Sequence, residues 1–167
     1  MDHIDQWIRL YASPNPEVQQ RALRNLVHHT DPRLTSLLLD AVERYGKGGF
    51  GGDLVKAITR SGDPGFVEPI IQLTAHPDAY FRALACEILG GLNDSRALDA
   101  LITCLDDSAM WVRRQAAFAL ARLQDRRAGP ALQQRYRAHP NDDVNVLGGL
   151  KAALRTLGVQ PDEAYPE

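Results

Sequence analysis

One segment recurs along this chain at a nearly constant interval, and the repetition constrains its fold more than any other feature. Each copy opens with an aspartate, and the intervals between successive aspartates differ by at most one position. These opening residues are Asp31, Asp63, Asp94 and Asp125. Aspartate is favourable before a helix, because its carboxylate accepts hydrogen bonds from the free N–H groups of the first turn. The sequence therefore predicts a series of similar helical hairpins.

Each copy is predicted to contain two helices, helix A after the aspartate and helix B before the next one. In the copy that opens with Asp94 the apolar residues of helix B have the spacing of one helix face. The other copies carry apolar residues in the same columns, which we expect to form the core. The columns are Val18, Phe50, Phe81 and Val112; Ala22, Leu54, Ala85 and Ala116; and Leu26, Ile58, Leu89 and Leu120. Gly62 and the pair Gly90–Gly91 are predicted to mark chain reversals at the ends of B helices.

The amino-acid composition and the net charge limit the kinds of protein that this chain can be. Of the 167 residues, 44% are hydrophobic and 24% charged, as in ordinary globular domains. The net charge of −2 provides no general attraction for nucleic acid. The longest apolar run, Leu37–Leu39, is too short to cross a bilayer, and the acidic start lacks the features of a signal peptide. We expect a monomeric cytoplasmic protein that does not insert into membranes.

The segment Asp94–Asp125 resembles the short HEAT-like repeat of the phycocyanobilin-lyase family, and the resemblance extends over nearly the whole chain. It implies an all-α fold, a right-handed α-solenoid of about five HEAT-like hairpins whose B helices line the concave side. A single domain is expected over residues 1–158, followed by a short flexible tail over 159–167. Ten helices in five A–B pairs are predicted.

Several residues that could suggest chemistry have structural explanations. A relative of the family, the iron-dependent deoxyhypusine hydroxylase, has His-Glu pairs in its B helices, and this chain has none. Cys86 and Cys104 lie in apolar columns and are predicted to be small core residues. Arg82 and Arg113 are predicted to form a structural ladder with carboxylates near the turns. The segment Gly46–Gly52 lacks the lysine-serine ending of a phosphate loop and is predicted to be a flexible start to a B helix. No catalytic residue, cofactor or metal site is predicted.

The solvent-facing stripe of the B helices provides the clearest functional signal. Phe118 shares its column with Arg24, Lys56 and Glu87, which favour solvent, so an aromatic ring there is out of place in a core. Trp, Tyr and Arg are also enriched at binding hot spots. The predicted partner-binding residues are Trp111, Gln115, Phe118, Arg122, Tyr80, Glu87, Lys56, Arg60, Arg21 and Arg24.

We therefore expect a non-catalytic scaffold or adaptor that binds a partner protein on its concave face. The resemblance implies an alternative, an accessory or lyase-like subunit that acts on phycobiliprotein bilins or in phycobilisome turnover, with a phycobiliprotein as partner. Binding of nucleic acid is a third hypothesis, which the net charge disfavours. It would use Arg21, Arg24, Lys56, Arg60, Arg114 and Arg122.

Overall fold

The helices lie where the repeat places them. The computed structural model describes residues 3–160, and this part of the chain contains ten α-helices and no strand. The all-α fold and the five A–B hairpins predicted from the sequence are confirmed. The pairs are α1 (His3–Tyr11) with α2 (Pro16–Leu26), α3 (Thr35–Tyr45) with α4 (Gly51–Ser61), α5 (Val67–Leu73) with α6 (Ala79–Leu92), α7 (Leu98–Thr103) with α8 (Met110–Leu123), and α9 (Gly129–Ala138) with α10 (Val144–Thr156).

The chain divides into two compact units. The first comprises residues 1–66 and the second residues 67–167. Helices α1 to α4 belong to the first unit and α5 to α10 to the second. Within the second unit α6 packs against α8, and α8 packs against α10, so its three B helices form one layer. None of the helices within residues 3–160 has the length and apolarity required to cross a bilayer.

Every repeat aspartate caps a single 3₁₀ turn. The Asp94 carboxylate accepts a hydrogen bond from the backbone N–H of Arg96 at 3.0 Å. Asp31, Asp63 and Asp125 make the same contact with the residue two positions later, at 2.8–3.0 Å. The 3₁₀ turns that follow are Pro32–Leu34, Pro64–Phe66, Ser95–Ala97 and Arg126–Ala128. The sequence predicts the helix starts correctly, but it does not reveal this tighter first turn.

The apolar columns form the core of each unit. All eight residues of the columns that begin with Ala22 and Leu26 are completely buried. Val18 is half-buried, whereas its equivalents Phe50, Phe81 and Val112 are buried. Cys86 and Cys104 are buried free thiols, as predicted. The neighbouring Cys104 thiol and burial together raise the pKa of Cys86 well above its ordinary value, so this thiol is unreactive in the folded protein.

Three of the B helices, α4, α6 and α8, end at a column of left-handed residues. Gly62, Asn93 and Gln124 have φ angles of 62°, 54° and 54°, and they occupy equivalent positions in successive copies of the repeat. The prediction at Gly62 is confirmed, but a reversal at Gly90–Gly91 is wrong because α6 continues to Leu92. Gly90 instead allows α8 to approach closely, since a Cβ atom on it would lie 2.7 Å from the Cα of Ala119.

Gly90→Ala should reduce the free energy of unfolding by about 1–3 kcal/mol, because the added methyl group would force α6 and α8 apart. Gly148→Ala is the matched control, because a Cβ atom there would have no neighbour within 4 Å. Gly148 also lies inside a helix, so its replacement should stabilise the protein by about 0.5–1 kcal/mol. Urea denaturation of both variants would measure the two effects. Equal shifts in the same direction would refute the close approach at Gly90.

The chain remains attached to the fold beyond the end of α10. The backbone N–H of Val159 donates to the carbonyl of Leu154 at 2.9 Å, and the Val159 side chain is buried. The Gln133 amide donates to the carbonyl of Gln160 at 3.2 Å. These two residues therefore pack with the second unit, although the sequence places them in the tail. The rest of the predicted tail, residues 161–167, lies outside the described residues.

Candidate functional site

A ladder of arginine–aspartate pairs connects the hairpins of the second unit. The Arg82 guanidinium on α6 donates to both carboxylate oxygens of Asp107, at 2.6 and 2.8 Å. It also donates to the carbonyl oxygen of His76, so one side chain joins two turns. The hydrogen bonds from Arg82 hold the pKa of Asp107 below its ordinary value. Bidentate pairing of this kind is geometrically specific and fixes the position of both partners.

The second pair of the ladder contains an additional arginine. Arg113 donates to both oxygens of Asp142 at 2.6 and 3.1 Å, and Arg135 donates to the same carboxylate at 2.6 Å. Arg135 also donates to the carbonyl of Leu105 at 2.8 Å. The predicted structural role of Arg82 and Arg113 is confirmed. Sequence reasoning missed Arg135, which occupies the column of Ala41, Leu73 and Cys104 and is nine-tenths buried.

The first unit replaces the ion pair with neutral groups. Gln19 occupies the position of Arg82 and Arg113 in the repeat, directly after the Val18 column. Its amide donates to the Ser13 carbonyl at 2.7 Å, the equivalent of the bond from Arg82 to His76. The Gln19 side-chain oxygen accepts a hydrogen bond from the Tyr45 hydroxyl. The contact between hairpins is thus retained without charge.

Three aromatic side chains on α6 and α8, two B helices of the second unit, are exposed to solvent. Trp111 is 48% exposed, Phe118 is 43% exposed and Tyr80 is 38% exposed. Trp111 and Phe118 are two helical turns apart on one stripe of α8, which is about 10 Å along the helix. Tyr80 holds the position equivalent to Trp111 on α6, and neighbouring helices pack about 8–10 Å apart. The three rings therefore lie on one surface.

The polar residues of this surface differ in their exposure to solvent. Arg122 and Glu87 are exposed, whereas Gln115 is half-buried. An edge of the Phe118 ring faces α10, because its Cε2 atom lies 3.9 Å from the place that a Cβ atom of Gly149 would occupy. We call the outward surface of these two helices the α6–α8 face, and it comprises Tyr80, Glu87, Trp111, Gln115, Phe118 and Arg122. The exposure of its rings agrees with the column argument, and its binding role stays a prediction.

The predicted binding residues of the first unit have contacts of their own. The Arg24 guanidinium lies 5.8 Å from the centre of the Phe50 ring, and Arg60 donates to the Val27 carbonyl at 2.6 Å. The Lys56 amine is 3.9 Å from Asp53. Arg21 is exposed and has no side-chain partner among residues 3–160. Three of the four cations therefore contribute to local structure.

The glycine-rich segment forms a defined reversal between α3 and α4. Gly46–Gly48 is a 3₁₀ turn, Gly49 is left-handed with a φ of 89°, and α4 begins at Gly51. The Phe50 ring packs edge-on against Tyr45, with ring centres 6.2 Å apart. The segment thus precedes a B helix as predicted and forms a turn anchored by an aromatic ring, and its flexibility stays a prediction. Within residues 3–160, no three potential ligand side chains approach closely enough to hold a metal ion.

Comparisons with known proteins agree with this architecture. Residues 67–146 match the family model for HEAT repeats. The structure resembles the crystal structure of an engineered protein from the Northeast Structural Genomics Consortium, with a TM-score of 0.65 and 17% sequence identity. The match covers 94% of this chain and 80% of the engineered one. The matched segment, just under half of the chain, is similar to HEAT repeats. The fold of the chain is of the α-solenoid class, as the repeat predicts.

The finer resemblance is not resolved by these comparisons. No curated protein matches the sequence. The HEAT-repeat match supports the repeat assignment and does not distinguish the phycocyanobilin-lyase family from other HEAT-like proteins. Membership of that family therefore stays a hypothesis from the sequence.

Proposed function

We propose that this repeat protein is a non-catalytic scaffold that binds a partner protein through the α6–α8 face. HEAT repeats generally serve as protein-interaction scaffolds. The observation that carries the proposal is the joint exposure of Trp111 and Phe118 on one stripe of α8. Single exposed apolar residues are common, but adjacent exposed rings rimmed by polar groups are typical of binding surfaces.

The distribution of arginines supports a scaffold over an enzyme. The side chains of Arg82, Arg113 and Arg135 are only 15%, 15% and 9% exposed, and all three are bonded to aspartates of the turns. Their hydrogen bonds hold hairpins together and so explain their burial. The α6–α8 face instead offers rings, an amide and an exposed guanidinium, which suit recognition of a protein surface.

Truncation of the exposed rings tests the proposal. A partner would be isolated by affinity capture from the native cell, identified by mass spectrometry and purified for binding measurements. Trp111→Ala and Phe118→Ala should each weaken its binding by at least about 2 kcal/mol, roughly thirtyfold in Kd. The melting temperature should remain close to that of the parent, since both rings are more than two-fifths exposed.

Tyr136→Ala provides the matched control. Tyr136 is a half-buried aromatic residue of the second unit that lies on the A helix α9 beside Lys151. Its truncation should leave partner binding intact. Strong destabilisation by Phe118→Ala would show that the ring is structural, and normal binding by stable ring variants would place the site elsewhere.

The bilin-related alternative rests on the sequence resemblance alone. It predicts a colour change when the protein is mixed with a bilin and its apoprotein. Salt-dependent retention on DNA would instead favour the nucleic-acid hypothesis, because each phosphate contact releases counterions.

A further inference from the structure

Eight of the ten arginines of the second unit fall into two groups with different surroundings. Five of them pair with carboxylates of the same unit: Arg82, Arg96, Arg113, Arg127 and Arg135. Arg114, Arg122 and Arg155 have no acidic or hydrogen-bonding side-chain partner among residues 3–160. Within residues 67–160, the guanidinium groups without a counter-charge therefore include those of these three residues.

Two of the unpaired arginines flank the exposed Phe118 ring. Arg114, Phe118 and Arg122 follow one another at intervals of about one helical turn on α8, so they occupy one stripe of that helix. Ala119 faces α6 at Gly90, and Ala117 faces α10 at Gly149. Phe118 lies between them in the chain and so points outward from the layer of B helices.

Arg155 is a further unpaired arginine, on the neighbouring helix α10. In the repeat, Ala152 of α10 holds the outward position of Phe118, and Arg155 is exposed less than one turn later. Glu87 of α6 is the exposed acidic residue of the α6–α8 face. The α6–α8 face consequently carries positive charge on α8, at Arg122, and negative charge on α6, while Arg155 provides an exposed positive charge on α10.

We infer that the segment of the partner that docks here is an acidic polypeptide with large apolar residues. This inference rests on the proposed function and specifies the chemistry of the partner. The apolar side chains cover Phe118 and Trp111, and the carboxylates pair with Arg122 and Arg155. Guanidinium–carboxylate pairs at the edge of a covered apolar patch provide both orientation and strength.

Selection from a random-peptide phage library on the immobilised full chain tests the inference. The enriched peptides should carry a net negative charge and large apolar residues next to Asp or Glu. Fluorescence anisotropy with one enriched peptide would then give the affinity of each variant. Arg122→Glu and Arg155→Glu should each weaken binding by about tenfold or more, because they replace attraction with repulsion. Added salt should weaken binding to the parent more than to these variants.

Arg9→Glu is the matched control. Arg9 is exposed on α1 and has no partner among the described residues, so its replacement changes the net charge equally and should leave peptide binding unchanged. Enrichment of neutral or basic peptides, or of none, would overturn the inference. So would equal effects of Arg9→Glu and Arg122→Glu, or preferential binding of a thymidine oligonucleotide by the same arginines.

Phe118→Ala distinguishes a failure of the acidic-partner inference from a failure of the proposed binding function. If Phe118→Ala abolishes peptide binding and the arginine variants do not, the α6–α8 face remains the docking site and only its acidic partner is wrong. If neither set of variants changes binding, the face itself is wrong and both proposals fail.

Discussion

Asp142→Ala should reduce the free energy of unfolding by about 3–5 kcal/mol, because it would leave the enclosed Arg113 without its counter-charge and Arg135 with only the exposed carboxylate of Asp106, 3.5 Å away. The Asp142 side chain is 7% exposed and accepts hydrogen bonds from Arg113, Arg135 and the backbone N–H of Asp143. The Arg113 side chain is 15% exposed and that of Arg135 is 9% exposed, so solvent would only partly compensate for the lost carboxylate. Urea denaturation followed by circular dichroism would measure the loss.

Asp125→Ala is the appropriate comparison. Asp125 also accepts hydrogen bonds from an arginine, but its partner Arg127 is 68% exposed. The variant loses a helix cap and a solvent-screened pair, which should cost about 1 kcal/mol. A loss for Asp142→Ala no larger than this would show that the double-arginine cluster contributes little to folding.

The same cluster makes stability sensitive to acid. Hydrogen bonds from Arg113 hold the pKa of Asp142 below its ordinary value, and Arg82 does the same for Asp107. A carboxyl whose pKa is lower in the folded state stabilises the fold above its unfolded pKa, about 4. That stabilisation is lost as the pH falls through the folded pKa. The difference between the parent and Asp142→Ala should therefore be constant at neutral pH and shrink below about pH 4.

Leu120→Ala and Leu89→Ala should each cost about 2–5 kcal/mol, since both leucines are completely buried and truncation leaves a cavity. Phe118→Ala removes a larger side chain from the same helix as Leu120, but from a position that is 43% exposed. Thermal unfolding of the three variants would compare them. A lower melting temperature for Phe118→Ala than for Leu120→Ala would reverse our assignment of the buried and exposed faces of α8.

The core could be predicted because each of its columns contains four aligned residues, one from each of four successive B helices. Leu26, Ile58, Leu89 and Leu120 are unrelated as single residues, yet one period aligns them and all are buried. The same alignment identifies Phe118, because its column partners Arg24, Lys56 and Glu87 are exposed with it. Repetition supplies the comparison from which both conclusions follow.

Features that occur once could not be predicted in this way. Arg135 falls in an apolar column, and its partner Asp142 comes from a loop that has no equivalent of the same length in the other copies. In the sequence Gly90 looks like the site of a chain reversal. The contact that requires a glycine there is with the Cα of Ala119, which belongs to a helix of the next repeat. The Gln19–Tyr45 contact also joins two hairpins, and it occurs once because Gln19 stands where α6 and α8 carry arginines. Such contacts depend on distances between helices, which local sequence does not encode.

The exposure of Trp111 gives the protein its own optical reporter. The chain contains two tryptophans, and Trp7 lies half-buried on α1 beside His3. In a Trp7→Phe variant, indole emission would come from the α6–α8 face alone. An exposed indole emits at longer wavelength than a covered one, so a docking partner without tryptophan would shift the spectrum to the blue. Occupancy of this surface can thus be followed in solution without attaching a dye.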